Sequence, residues 1–432
     1  MKFTKTLLTT CCIALLALPA NACSSSEETI APEEPVTPET PAAPATPADE
    51  AIAYALSMGM GWNLGNNLDA HVNGVSDETS WGNPAATQKT FDAVKRAGFS
   101  TVRIPVTWMG HIGKAPGYHI DKAWLDRVAE VAGYAKKAGL KCIINVHHDG
   151  FGAETDESKK GFFWLDLPGA AKDEEKNQEI KQKLAMVWNQ IAQRFVNEGD
   201  WLIFETLNEI QDGKWGNGDN LTDGGHQYRV LNEWNQLCVD IIRATGGENA
   251  TRYIGVPGYV CQPGLTVKYL RIPDDTVENR IMVAVHMYDP WDFAGSAKYS
   301  EWGHTGKDVV PGNGGEEEYN ATLNALYNKF VRKGIPVYLG EYGCVHRNSS
   351  RAENFRKYYL EYTCKALRDH KMPVIFWDNG KKASGEEAFG LMEHDDGKFI
   401  QNGEEIIKIM VDAWHNDDPE YTLQSIYDKA PR

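Results

Sequence analysis

From about residue 51 to the C-terminus, short apolar and β-branched runs alternate with longer segments whose apolar positions recur at helical spacing. The short runs fall at residues 58–64, 101–105, 141–146, 201–207, 253–257, 281–285, 337–339 and 373–377, and their composition predicts eight strands. The intervening segments predict helices, among them 87–97, 123–137 and 174–198. In the last of these Leu184, Val187, Trp188, Ile191 and Phe195 make one apolar stripe. Gly98, Gly139 and Gly334 follow helical segments, suit a left-handed cap and lead into strands. Such alternation predicts an α/β fold, a (β/α)8 TIM barrel forming a single catalytic domain over residues 50–432. No internal repeat and no change of composition after Asp49 marks a second folded domain.

A barrel of this kind builds its site at the C-terminal ends of its strands. Glu209 follows the run 201–207 and Asn208, and Glu341 follows the run 335–340. Two carboxyl groups at that face suit glycosidic bond cleavage. A retaining glycosidase sets them about 5 to 5.5 Å apart, one to attack the anomeric carbon and one to protonate the leaving oxygen. The acid needs a neighbouring negative charge or partial desolvation to keep its proton, whereas the nucleophile needs donors to stay ionised.

Arg103 stands inside the apolar run Val102-Arg103-Ile104-Pro105, and a charge there is expected to hold a carboxylate rather than face solvent. His147 and His148 end the third strand, where alternation turns only one of them straight at the site. Adjacent histidines without further ligand spacing are poor evidence for a metal, so hydrogen bonding to substrate hydroxyls is the expectation, with no metal and no cofactor. His286 and Tyr288, spaced by two, share a face, and Tyr288 is placed to donate to the nucleophile. Trp62, Trp81, Trp108, Trp164, Trp215, Trp291 and Trp377 fall mostly at strand ends or in βα loops, where a ring either stacks on a sugar or simply packs. Trp377 is the strongest candidate for stacking, because it ends a strand and precedes Asp378-Asn379-Gly380.

Composition narrows the partner. The formal net charge of −16 argues against nucleic acid, and a neutral polysaccharide is easier to accept. Residues 1–22 carry Lys2 and Lys5, an apolar stretch too short to span a bilayer, and small residues before Cys23, which is the layout of a secretory signal. Small residues followed by Cys23 resemble a bacterial lipobox, which would make Cys23 a lipidation site and the N-terminus a membrane anchor. Ala20 stands where that pattern prefers leucine, so ordinary cleavage after Ala22 is the alternative. On either reading the protein is exported, as a cell-surface or outer-membrane lipoprotein or as a secreted or periplasmic protein. Residues 23–49, rich in Pro, Thr and Glu, read as a disordered tether. The remaining cysteines, Cys142, Cys238, Cys261, Cys344 and Cys364, lack CxxC spacing and read mostly as buried thiols, with one disulfide left open. A monomer is the default.

Eight stretches in order carry a resemblance. They include Gly61-Trp62-Asn63-Leu64-Gly65-Asn66, Glu78-Thr79-Ser80-Trp81-Gly82-Asn83-Pro84 and Gly340-Glu341-Tyr342-Gly343, together with residues 102–108, 145–148, 204–209, 285–291 and 376–380. The chain resembles glycoside hydrolase family five, specifically its endo-β-1,4-glucanase subfamily four. The resemblance implies a retaining hydrolase with Glu209 as general acid/base and Glu341 as nucleophile, supported by Arg103, His147, Asn208, His286, Tyr288 and Trp377. It gives Asn208 the 2-hydroxyl of the sugar beside the cleaved bond. It also favours β-1,4-glucans as substrates: cellulose-type chains, mixed-linkage β-glucan and xyloglucan. Loops 151–166, 213–225 and 292–315 are long, as a broad cleft for cleavage within a chain requires.

Two positions depart from the family pattern. Ile210 replaces the proline usual after the acid/base glutamate, from which a small loop shift is expected, and Asp149 stands where glutamate is common. The competing readings are an inactive glycan-binding lipoprotein on the same barrel and the same chemistry on mannan or xylan.

Overall fold

The computed structural model describes residues 46–150 and 160–432. The expected signal, Cys23, the tether up to residue 45 and residues 151–159 of the first cleft loop lie outside the described residues. Eight parallel strands close into a barrel: β1 Met60–Leu64, β2 Thr101–Ile104, β3 Lys141–Asn145, β4 Leu202–Glu205, β5 Ile254–Pro257, β6 Ile281–Met287, β7 Val337–Tyr342 and β8 Val374–Asp378. Each pairs with its neighbours in the sequence, and β8 returns to β1. All eight coincide with the expected runs. The expected helices are also present, as Gln88–Arg96, Lys122–Ala138 and Glu174–Arg194.

The apolar residues divide into two clusters, because strand alternation sends side chains to opposite faces of the closed sheet. The larger cluster lies between strands and helices, with Trp62, Val102, Ile144, Trp188, Phe204, Val285 and Leu339. The smaller one fills the barrel: Ile143, Ile203, Met282, Ala284, Tyr338 and Ile375, joined by Met58, Tyr253 and two alanines from a helix that precedes β1. That helix, α1 (Pro47–Leu56), packs Ala51 and Ala55 against the interior cluster. Thr46 caps it, accepting from the Asp49 N–H while the Asp49 carboxylate accepts from the Thr46 N–H. Residues 47–49, expected to end the tether, are therefore its first turn.

One irregularity in β7 positions a functional residue. Pairing with β6 runs Val285 to Leu339 and then His286 to Glu341, so Gly340 is an extra residue in the ladder. Strict alternation from Tyr338, which points into the barrel, would turn Glu341 outward beside Leu339. The bulge reverses this and aims Glu341 inward.

Candidate active site

Above the apolar interior, the strand tips form a layer of buried polar side chains. Arg103 from β2 is its centre. Its Nη1 donates to Glu341 Oε1 at 2.9 Å and to Asn63 Oδ1 at 3.1 Å, and its Nη2 donates to Glu205 Oε1 and Asn208 Oδ1, each at 2.7 Å. The expected carboxylate partner is present, but Arg103 holds a second one, Glu205 at the end of β4. Glu205 also accepts from Asn145 Nδ2 at 2.8 Å and Tyr338 Oη at 2.6 Å. Burial opposes its charge, yet Arg103 holds its carboxyl below the ordinary range. Burial likewise opposes charge on Arg103, and Glu205 and Glu341 outweigh it. Neither Glu205 nor Asn63, Asn145 and Tyr338 was given a role from sequence. Glu205 carries the same signal that singled out Arg103, a charge inside an apolar run.

Glu209 follows β4 across the mouth from Glu341, and the two share one imidazole. His286 Nδ1 lies 2.7 Å from Glu209 Oε1 and 3.6 Å from Glu341 Oε2. A carboxylate oxygen of each glutamate and a ring nitrogen of His286 all fall within 4.8 Å of one another. Tyr288 Oη donates to Glu341 Oε2 at 3.0 Å, as its spacing from His286 predicts. Glu341 thus has two donors, Arg103 and Tyr288, while Glu209 is the more exposed carboxylate, with a fifth of its side chain accessible against 8% for Glu341. Burial pushes the Glu341 carboxyl up; His286 opposes this and the nearby Glu209 charge adds to it. Burial alone would lower His286, but Cys261, Glu341 and Glu209 raise it well above its ordinary range.

His147 and His148 both line the cleft. His147 is buried, held by Asn145 Nδ2 at 3.0 Å from its Nδ1, and its Nε2 lies 3.9 Å from Glu341 Oε1. Burial first, then the neighbouring His148 and Arg103, hold it well below its ordinary range, so it is neutral. His148 is partly exposed at the rim, with Nε2 3.6 Å from Asp69 Oδ2 and its ring beside Trp81. The Trp377 indole runs parallel to the His147 ring, 5° between planes and 6.0 Å between centroids, and is partly exposed. Its strand end is pinned by Asp378, whose Oδ2 accepts from Trp62 Nε1, Leu391 N and Met392 N.

The remaining tryptophans separate cleanly. Trp62 and Trp108 are fully buried and belong to the packing. Trp164 is partly buried and donates to Asp149 Oδ1 at 2.6 Å. Trp81, Trp215 and Trp291 are exposed, and Trp291 meets Tyr288 edge-on at 5.7 Å. Asp149 also accepts from the Trp108 N–H, and burial pushes its carboxyl up to about 6. Ile210 is buried, its carbonyl accepting from Val260 N at 3.1 Å. The five cysteines of the described barrel are buried free thiols.

Chemically, the arrangement offers one carboxylate surrounded by donors, a second close enough to share its charge, a neutral imidazole and an aromatic face. The family model for cellulase (glycosyl hydrolase family 5) matches residues 66–383. Endoglucanase A of Paenibacillus barcinonensis is 37% identical over 361 residues, covering 80% of this chain and 86% of that protein. Among solved structures, a Bacteroidetes-affiliated GH5 cellulase linked with a polysaccharide utilization locus has 62% identity and a TM-score of 0.88, covering 90% of this chain and 99% of that one. A GH5-4 broad specificity endoglucanase from Bacteroides salanitronis has 51% identity and a TM-score of 0.81, covering 87% and 96%. A family 5 xyloglucanase from Paenibacillus pabuli has 36% identity and a TM-score of 0.75, covering 84% and 99%.

Proposed function

The chain belongs to the cellulase family, glycosyl hydrolase family 5, and from that premise we propose that Glu209 is the general acid/base and Glu341 the nucleophile of its reaction. The enzyme is an endo-acting glycosidase that hydrolyses internal β-1,4-glucosidic bonds of β-glucans with retention. The observation that carries the two roles is the shared imidazole, with carboxylate oxygens of both glutamates and a nitrogen of His286 within 4.8 Å. That closeness suits double displacement; an inverting pair needs roughly 6.5 to 9.5 Å to admit a water.

In the first step Glu341 attacks the anomeric carbon while the leaving oxygen takes the proton of Glu209. Arg103 and Tyr288 steady the attacking carboxylate, and their hydrogen bonds favour its ionised form. Glu209 has neither of these donors; its Oε1 faces His286 Nδ1 at 2.7 Å, and it is the more exposed of the two carboxyl groups, open to the leaving oxygen. In the second step Glu209 takes a proton from the water that hydrolyses the glycosyl ester on Glu341. Asn208, oriented by Arg103, binds the sugar 2-hydroxyl, His147 and His148 bind further hydroxyls, and Trp377 stacks on the ring. Exposed Trp81, Trp215 and Trp291 fit an open cleft accepting cellulose-type, mixed-linkage and xyloglucan chains.

The test is release of oligosaccharides from carboxymethylcellulose, barley β-glucan, xyloglucan, glucomannan and xylan by the wild type, Glu209→Gln and Glu341→Gln. Both variants are expected to fall by several orders of magnitude, and the rank order of polymers fixes the substrate. Variants as active as the wild type would end the assignment.

The protein is placed at the cell surface by a lipid on Cys23, as a monomer that meets the membrane only through that anchor. Supporting this are the signal layout, the small residues before Cys23 and the Pro-rich stretch after it. No helix among the described residues is long and apolar enough to cross a membrane. A Cys23→Ala variant is expected to leave the membrane fraction; unchanged association would defeat the anchor.

A further inference from the structure

Ile210 follows Glu209 where a proline is usual, and the buried segment it belongs to is fastened on two sides. On one side lies the turn after β5. The Asn208 carbonyl accepts from Cys261 Sγ at 3.6 Å, the Ile210 carbonyl accepts from Val260 N at 3.1 Å, and the Asp212 N–H donates to Tyr259 Oη at 3.0 Å. Residues 208, 210 and 212 thus pair in reverse order with 261, 260 and 259, while the side chain of Glu209, among them, reaches His286. Val260 and Cys261 stand at φ 49° and 53°. Non-glycine residues keep such a conformation only where the surroundings dictate it, and it concentrates at functional sites.

On the other side lies Gly150, just after β3. A Cβ on Gly150 would meet Ile210 Cδ1 at 2.6 Å, closer than real contacts come, so the isoleucine side chain already fills that space. Gly150 is itself fixed from elsewhere. It bridges to Leu165, Leu165 N donates to Asp149 O at 3.1 Å, and the Asp149 carboxylate accepts from Trp108 N and Trp164 Nε1. Ile210 is therefore a wedge between two fixed neighbours, one met by its side chain and the other by its carbonyl. A proline would stiffen the same place through its ring, which sets φ and offers no N–H. Ile210 does donate, to Asn208 O at 3.1 Å, and its stiffness comes from a packed, β-branched side chain instead.

We propose that Ile210 is a positioning residue for the acid/base: wedged on Gly150 and tied to Val260, it sets where the Glu209 carboxyl meets the leaving oxygen. The inference rests on the acid/base role given to Glu209. A general acid works only within hydrogen-bond reach of the atom it protonates, and a displacement of about 1 Å can cost about a hundredfold in rate. That loss appears only where the leaving oxygen needs the proton. A phenol of ordinary acidity needs it as its bond to the anomeric carbon breaks, whereas dinitrophenolate departs as the anion. Misplacing Glu209 is thus read in the leaving group, a distinction that general loosening of the fold does not make.

Gly150 makes the wedge reversible. Its backbone lies outside the left-handed region, so alanine there strains the site only through its Cβ. In Gly150→Ala that Cβ pushes on Ile210 and so on the chain beside Glu209. Ile210→Val removes the Cδ1 that the Cβ meets, and in the double variant the added methyl takes the place of the lost one. Neither residue is assigned to substrate or to the carboxylate network.

The test measures kcat/KM of the wild type, Gly150→Ala, Ile210→Val, the double variant and Ile210→Ala on phenyl and dinitrophenyl β-cellobioside, with thermal melts alongside. Gly150→Ala is expected to lose about tenfold or more on the phenyl substrate and less than about twofold on the dinitrophenyl one, as partial misplacement of an acid requires. The double variant is expected to return to the level of Ile210→Val. Ile210→Ala, which empties the wedge, is expected to lose with the same selectivity, and it decides the matter should Gly150→Ala fail to fold. Wild-type values in Gly150→Ala, equal losses on both substrates, or a double variant no better than Gly150→Ala would overturn the proposal. Glu209→Gln is run beside them. Should it lose as much on the dinitrophenyl substrate as on the phenyl one, the acid assignment fails, and this inference with it; selectivity there without selectivity in Gly150→Ala or Ile210→Ala overturns the inference alone.

Discussion

Arg103 Nη2 and Glu205 Oε1 lie 2.7 Å apart with both side chains fully buried, beneath a mouth where the same guanidinium reaches Glu341. The pair is a support: Glu205 touches no position open to substrate, but it sets the plane in which Arg103 presents Nη1. A buried ion pair adds little net stability over an apolar replacement, yet removing one partner leaves a stranded charge.

Glu205→Gln is therefore expected to lower stability by about 3 kcal/mol and to lower kcat more than it raises KM, since the loss acts through Arg103 on Glu341. Urea unfolding and kinetics on a soluble β-glucan check both. A variant of full stability and full kcat would show Arg103 to be positioned without it.

Gly340 is the second support. A Cβ there would sit 3.1 Å from His286 Nε2 and 3.5 Å from Arg103 Nε, tighter at the histidine than ordinary contact. Gly340→Ala is expected to displace the imidazole and cut kcat about tenfold or more, in line with the cost of losing a positioned proton-transfer geometry. Its thermal midpoint should fall by only a few degrees. A crystal structure of the variant with His286 still 2.7 Å from Glu209 would remove the explanation.

These supports mark where sequence reading stopped. The eight strands, Glu209, Glu341, Arg103, His286 and Tyr288 were legible because each depends on local pattern: apolar runs, residues at strand ends, a spacing of two. The inward aim of Glu341 was not, since alternation from Tyr338 points it outward and only the bulge at Gly340 corrects it. Trp62 and Trp108 are buried although they fall near strand ends, because a ring's face is set by packing partners distant in sequence. Helix α1 was hidden by a Pro- and Ala-rich composition, even though Thr46, Pro47 and Asp49 spell a helix start.

The spacing of the two carboxylates predicts stereochemistry. Proton NMR of a β-glucan oligosaccharide digest is expected to show the β-anomer of the new reducing end first, with the α-anomer growing in by mutarotation. An α-anomer appearing first would require the separation in the working enzyme to be larger.

Asp149 predicts a pH dependence of stability. Its folded pKa of about 6 lies above the ordinary 3.8, so its contribution is fully present below pH 3.8 and is lost as pH rises through 6. The loss is roughly 3 kcal/mol for a shift of this size. Asp149→Asn does not titrate, so the variant's stability relative to the wild type is expected to improve between pH 4 and 7. Denaturant midpoints at both ends of that range decide it, and a constant difference would place the group's pKa near its ordinary value.

The barrel floor is linked to the carboxylates at its mouth. Ala51 and Ala55 of α1 pack in the same cluster as Tyr338, whose hydroxyl donates to Glu205. Tyr54, on the same helix, stacks on Tyr253 at 3.8 Å and donates to Asp200 O. Removing α1 would open Ile143, Ile203, Met282 and Ile375 to water, and it would loosen the ring that steadies Glu205, Arg103 and finally Glu341. A protein beginning at Thr46 is expected to keep its activity, whereas one beginning at Gly59 should melt several degrees lower and turn over more slowly at saturating substrate. The loss of kcat separates this from simple destabilisation: measured well below both melting points, it should persist in the shorter protein. If the two proteins share the same kcat there, the floor stabilises the barrel without reaching the carboxylates.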